Sequence, residues 1–583
     1  MQQRASFTRF IVAAIAGGLS LAACNGDHTP TGLHALAACG SSSALQLAPL
    51  QATTVACSSG TGVTLEGGGA SYLVVPQFAT GNVPMSPRPY TIGVPAGATT
   101  TLVATNGPSL SMMPAPSISL SIPQAARTQT RQRALDAMLM DRARRQVAHG
   151  DIAARRLAPP AGIRASTVLT LGSVEQFQVL SSESPVRFTR VGARLEYVGQ
   201  NILIFIDTLA PANGFTTDQL QAFGQIFDQI LYPIDTAAFG QPTDIDQNGH
   251  LIMLLSPEVN ALTPANECAT QGFVGGFFVG GDLGLTDTTS NRGEIFYSLV
   301  PDPNGTVSCA HSVAELEETT GATFLHELQH LINFGQHVLV HHGNAEQGWL
   351  DEGLSIVAEE LGSLYYENKY PPPTGRSNPA QLFPDSSQGY INGLLFDSYS
   401  YLLKTDTATV TLHSDADNGL AWRGGDWLLV RWLGDQKGAA IFKALVQTNQ
   451  TGTANIANAA GESFDGLFGD FSLALYTDSL PGIPKSSIPT RNRFAYRNLR
   501  RMYQRLYDTS QPSSDVPRPF PIVTTPLTGT ISATMVPGTM SFYRLDTATG
   551  QSTVTIQFSQ SDGTPLSSGL HPQLSIFRLP PGT

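Results

Sequence analysis

Two stretches, ATFLHELQHLINF at 322–334 and GWLDEGLSIVAEEL at 348–361, constrain this chain more than any other part of it. His326 and His330 are four residues apart, so on a helix their imidazoles leave one face about one turn from each other, within reach of a single tetrahedral metal ion. Leu325, Leu328, Leu331 and Ile332 supply the apolar positions of that helix, and Thr319 or Thr320 could cap its start. Glu327 lies between the histidines and is the kind of group that accepts a proton from an activated water without being a ligand. The pattern H-E-x-x-H therefore asks for a helix with its polar face on a cleft, and for a third ligand from elsewhere.

A metzincin arrangement needs a glycine three and a histidine six residues after the second histidine, and Asn333 and Gln336 stand there instead. His337 shares the His330 face but is displaced about 10 Å along the axis, so it reads as a rim or surface residue. Glu352 follows His330 by 22 residues. That is room for the first helix to end, for HHGNAEQG to turn and for a second helix to return antiparallel. Glu352 is the expected third ligand. Glu359 shares its face but lies about 10 Å further along, and with Glu360 it reads as a supporting or solvated carboxylate. Asp351 is a candidate to orient a ligand imidazole.

HELQHLINF followed by WLDEGLS resembles the gluzincin group of zinc peptidases, most closely the hyicolysin-like neutral metallopeptidases, over about residues 166–482. The resemblance implies an α+β fold in which a zincin-type domain of twisted sheet and zinc-binding helix is followed by a helical C-terminal subdomain. It also implies one catalytic zinc on His326, His330 and Glu352, Glu327 as general base, and a protein or peptide substrate. The same W-x-x-E-G string occurs in thermolysin-related aminopeptidases, but their GAMEN-type substrate loop is not found here, which favours an endopeptidase. An aminopeptidase, and a non-catalytic surface adhesin or binding lipoprotein on a degenerate peptidase fold, are the rivals. In gluzincins an edge strand pairs with extended substrate, and EIFYSLV (294–300) is the candidate, with an internal strand the equal alternative. A donor for the transition-state oxygen could come from Tyr365, Tyr366, Tyr390, Tyr399 or Arg423.

The chain opens MQQRASFTRF, continues with the short apolar run IVAAIAGGLSLAA and reaches Cys24, an export signal too short to stay in a bilayer. LAAC at 21–24 resembles a lipobox, which implies lipid on Cys24 and a membrane contact through that lipid alone. Asn25 in place of aspartate favours the outer membrane by the same resemblance. Cys39, Cys57, Cys268 and Cys309 remain, an even number in an oxidising compartment, with nearest pairing expected. The formal net charge is −12, so the chain lacks the pervasive basic surface that phosphate binding needs; nucleic acid is not an expected partner, and a monomer is.

The remaining organisation follows from composition. Residues 24–125 read as a tether and small β domain, 483–519 as a linker and 520–583 as a C-terminal β-sandwich-like domain, though about 60 residues is short for a sandwich. Residues 126–165 carry nine arginines against three aspartates. They read as a basic helix and linker, either solvated or a pro-segment docked on the catalytic domain and cut near Arg155 and Arg156. In TDIDQNGH, Asp244, Asp246 and Asn248 resemble the start of a calcium loop, although Leu255 stands where an EF-hand has its bidentate glutamate. A turn before a strand accounts for the same residues.

Overall fold

The computed structural model describes residues 36–40, 43–81, 83–94, 130–152, 170–284, 288–370, 385–411 and 420–583. The export signal, Cys24, Arg155 and Arg156 lie outside them. The architecture is α+β, with three sheets and a helical lobe among the described residues.

The strands in chain order are β1 (Ala37–Ala38), β2 (Ala52–Ala56), β3 (Gly62–Glu66), β4 (Ser71–Phe78) and β5 (Arg88–Gly93), then β6 (Val174–Glu183), β7 (Val186–Val198), β8 (Ile202–Asp207), β9 (Leu251–Leu255), β10 (Gly276–Phe278) and β11 (Ile295–Ser298). Five more close the chain: β12 (Thr525–Pro526), β13 (Thr530–Met535), β14 (Tyr543–Asp546), β15 (Thr553–Ser559) and β16 (Pro572–Leu579). Five helices matter below: α1 (Thr130–His149), α2 (Val313–Phe334), α3 (Gly348–Lys369), α4 (Asp385–Leu402) and α5 (Leu420–Lys437).

The central sheet has the order β10-β11-β9-β8-β7-β6. Its parallel strands β8 and β9 read ILIFID and LIMLL, unbroken apolar runs, as strands covered on both faces must. Alternate residues divide between two cores. Ile202, Ile204, Met253, Leu255 and Phe296 pack with Phe324, Leu328 and Leu331 of α2. Leu203, Phe205, Ile252, Leu254 and Tyr297 face the other way, in a cluster that includes Leu135 and Leu139 of α1. The EIFYSLV segment forms β11, which is internal, paired with β9 on one side and β10 on the other. All four of its residues are buried, as a strand covered on both faces must be; the edge strand is the short, antiparallel β10.

The two terminal β regions are one structure. Sheet β1-β2-β16-β4-β14-β12 and sheet β13-β5-β15-β3 both interleave strands from residues 37–93 with strands from 525–579. The long β4–β16 register runs from Ser71↔Leu579 to Phe78↔Pro572. Each half leaves open strand edges that the other half pairs, so neither is a separate domain, and the short C-terminal segment is completed from the other end of the chain. Tyr72 and Val74 face the sandwich core, while Leu73 and Val75 face the helical lobe, which joins the sandwich to the rest. Cys39 pairs with Cys57 in this sandwich, and Cys268 with Cys309 upstream of α2.

Candidate metal centre

Helix α2 begins earlier than Thr319 or Thr320 would allow. Ser312 is its cap, accepting from the Glu315 N–H at 3.2 Å, and the helix runs 22 residues to Phe334. The reason for the length is its burial: from Phe324 to Phe334 every residue is buried, so the metal motif sits within the core of the molecule and not on an exposed face. Helix α3 returns against it and brings Asp351, Glu352 and Glu359 to the histidines. A π-helical segment, Gly335–Val340, follows α2, and its irregular turn carries His337 fully into the core. There Nε2 donates to the Leu445 carbonyl at 3.1 Å, so His337 is a structural residue and not a rim one.

The Nε2 atoms of His326 and His330 face each other at 3.1 Å. Glu352 places Oε2 3.7 Å from the first and Oε1 3.5 Å from the second. Three donors each about 2.0–2.1 Å from a tetrahedral zinc stand about 3.3 Å apart, so the observed spacings fit such an ion. Glu352 is 1% exposed and its Oε1 has no hydrogen-bond partner, a costly arrangement unless a cation takes it. His326, His330 and Glu352 could thus hold a metal ion.

The other imidazole nitrogens are committed. His326 Nδ1 lies 2.8 Å from Glu359 Oε1, and His330 Nδ1 lies 3.0 Å from Asp351 Oδ2. These contacts fix each ring with Nε2 toward the other and raise its basicity as a ligand. Asn333 donates to the second Asp351 oxygen, and Ser355, 3.0 Å from His330 Nδ1, donates to Gln329. Asp351, Ser355 and Glu359 recur every four residues as one polar stripe of α3, which gives Glu359 the supporting place of its two sequence readings. Asn333, noticed only as the wrong residue for a metzincin, has this positive role.

Charges around the site pull in opposite directions. Burial depresses the His326 imidazolium, whereas in His330 burial is outweighed by Asp351, which pushes it well up. Burial also pushes Glu327 well above the carboxylate range, as suits a group that must take up a proton. Glu352 is held low in spite of burial by the Arg423 guanidinium, whose Nη1 donates to Oε2 at 3.0 Å.

Of the five candidate oxygen donors, the structure brings only Arg423 to the His326–His330–Glu352 set. Tyr365 and Tyr366 lie 13 and 14 residues past Glu352 on the same helix, about 20 Å along it. Tyr366 and Tyr390 pack with ring centroids 5.5 Å apart and planes tilted by 33°, and line a separate cavity with Phe223 and Phe324. Tyr399 donates to the Arg518 carbonyl at 2.5 Å and is used there. In the 244–249 turn, Asn248 donates to Asp246 and is not part of the cation-like set; Glu294, at the start of β11, takes its place beside Asp244 and Asp246. Nothing local in the sequence links Glu294 to that turn.

No protein-family model matches this chain. Over 176 residues it is 28% identical to the neutral metalloprotease ShpI of Staphylococcus hyicus, a stretch covering 30% of this chain and 36% of that relative's length. The chain is distantly similar to a metalloprotease along about a third of either molecule, and its His-His-Glu cluster is consistent with a metal-dependent peptidase.

Proposed function

We propose that this chain is an exported, lipid-anchored zinc endopeptidase. The observation that carries the reading is the buried His326–His330–Glu352 set at zinc-like spacing, with Glu327 lining the same cavity as His330 and outside the ligand set. A zinc held there would lower the pKa of a water toward neutrality and polarise a peptide carbonyl. The chain's own residues do the rest. Glu327 accepts the proton of the attacking water and returns it to the leaving amine, and its raised proton affinity matches that shuttle. Asp351 and Glu359 hold the two imidazoles in register. Arg423 keeps Glu352 ionised and is the nearest of the candidate donors for oxygen charge.

An acylated Cys24 would tether the enzyme to the outer membrane, with extended protein or peptide as substrate and a monomer as the working form. The test is Glu327→Gln in purified protein. Zinc should stay at one per chain while cleavage of an N-blocked peptide collapses; retained cleavage would overturn the assignment. Activity confined to peptides with a free N-terminal amine would point to an aminopeptidase instead.

A further inference from the structure

The basic stretch read as a solvated or docked helix is α1, and one face of it is docked while Asp141 and Arg145 on another stay exposed. Arg133, Leu135, Asp136, Leu139 and Ala143 are buried along it. Its contacts fall on the elements that a peptide substrate would need. The Gln132 side-chain amide donates through Nε2 to the Gly276 carbonyl at 2.6 Å and accepts through Oε1 from the Gly275 N–H at 2.8 Å. The Gly276 N–H also approaches Gln132 Oε1, at 3.5 Å, so one side chain faces both the N–H and the carbonyl of the first residue of β10, the two groups of one residue that an added strand would use at this edge. One turn on, Gln132 also donates to Asp136 Oδ1 at 2.8 Å. The second Asp136 oxygen, buried and without a hydrogen-bond partner, belongs to a side chain lining the same cavity as Glu327 and His330.

Two further links tie the helix to the site. Arg133 lies 3.5 Å from Asp397, Asp397 3.8 Å from Arg423, and Arg423 3.0 Å from Glu352, a buried relay of alternating charge from helix to ligand. Arg144 donates to the Glu346 carbonyl at 3.0 Å on the cavity wall. Leu139 and Ala143 of α1 form one wall of the cavity whose other side carries Glu327 and His330, and the cavity between them has room for the centres of a few water molecules.

We propose that α1 is an intramolecular inhibitor: it lies in the cleft between the edge strand β10 and the metal-motif helix α2 where an extended peptide substrate would lie, and the chain in this arrangement is latent. The proposal rests on the peptidase reading for its substrate class, but the occupancy of the cleft is separable from turnover. A chain whose open form is populated at about one part in ten gains about tenfold in apparent affinity and kcat/KM once the helix is released.

The experiment compares zinc-loaded full chain with the Gln132→Ala/Asp136→Ala variant. Two readouts are taken: cleavage of an N-blocked, internally quenched peptide, and calorimetric binding of a peptide hydroxamate. Both are expected to rise about tenfold in the variant, and equal or lower values in both overturn the proposal. If neither protein cleaves although each carries one zinc, the peptidase reading fails. Tighter hydroxamate binding by the variant would then still support the inhibitor, and equal binding would overturn it. Should the double variant fail to fold, judged by its melting transition, Arg144→Ala at the cavity wall replaces it. That variant is expected to give a smaller rise in the same two readouts, and no rise would count against the proposal.

Discussion

Among the described residues, two clusters bring three cation-type ligands within 4.8 Å of one another: His326, His330 and Glu352 between α2 and α3, and Asp244, Asp246 and Glu294 beside β11. They differ in what surrounds the donors. The first is buried throughout, leaves Glu352 Oε1 without a partner, and has a carboxylate behind each imidazole. The second runs from exposed Asp244 to buried Glu294 and satisfies itself: Asn248 donates to both Asp246 oxygens, and Thr243 Oγ1 and the Ile245 N–H donate to Glu294 at 2.8 and 3.0 Å. Proximity of ligands is thus common to both, and the unspent donor with its supporting layer is found only in the first. A buried polar atom left open costs on the order of 1–3 kcal/mol, which a fold retains where a bound group repays it.

The largest effects should separate the clusters by function. Glu327→Gln is expected to lower kcat by about 10²–10⁴, the range for loss of a general base, while Glu294→Gln leaves kcat within about twofold. Steady-state kinetics on one N-blocked peptide measures both, and a comparable loss in the two variants would erase the distinction. His330→Ala should remove the zinc altogether, as read by elemental analysis. Next in size are the supporting carboxylates. Glu359→Ala and Asp351→Ala should each weaken zinc affinity about 10- to 100-fold, measured by competition with a chelator, because the imidazoles lose the partners that fix their orientation. Unchanged affinity would mean that packing alone aims the rings.

How much of this was legible in the sequence follows from the range of the interactions. The ligand pair is four residues apart and Glu352 is one loop away, so local periodicity and helix geometry suffice to bring them together on paper. Arg423 comes from α5, Asp397 from α4 and Arg133 from α1, and no local pattern says that three helices so far apart in sequence meet at the Asp397 carboxylate, beside the Arg423 that holds Glu352. The sandwich is the extreme case: Tyr72 pairs with Arg578 across some five hundred residues, and two half-sheets with free edges read as two small domains. In the sequence, strand β11 stays open between edge and interior for a different reason. A short, largely apolar segment such as Ile295–Val300 is equally compatible with an edge covered by substrate and with an internal strand, and only the presence of β10 outside it decides.

The smallest expected effect concerns the second cluster and the proton it holds. Burial raises Glu294 from the ordinary 4.5 to about 7, and Asp246 is raised to about 6 for the same reason. A carboxyl whose folded-state pKa exceeds its unfolded value keeps its proton better when folded, so its contribution favours the fold below about pH 4.5 and is progressively lost as pH climbs to about 7. The full Glu294 shift would correspond to ~3 kcal/mol, but exposed Asp244 and half-buried Asp246 admit water and counterions, which reduces the expected effect to about 1 kcal/mol. Glu294→Gln, which cannot ionise, should therefore melt higher than the parent at pH 8 and show no difference near pH 4.5, in thermal melts recorded at fixed ionic strength without divalent ions. The same pair of proteins can break the comparison: millimolar calcium at pH 8 that raises the melting temperature of the parent and leaves Glu294→Gln unmoved would show that the self-satisfied cluster also takes a cation, and that an unpartnered oxygen is no requirement for one.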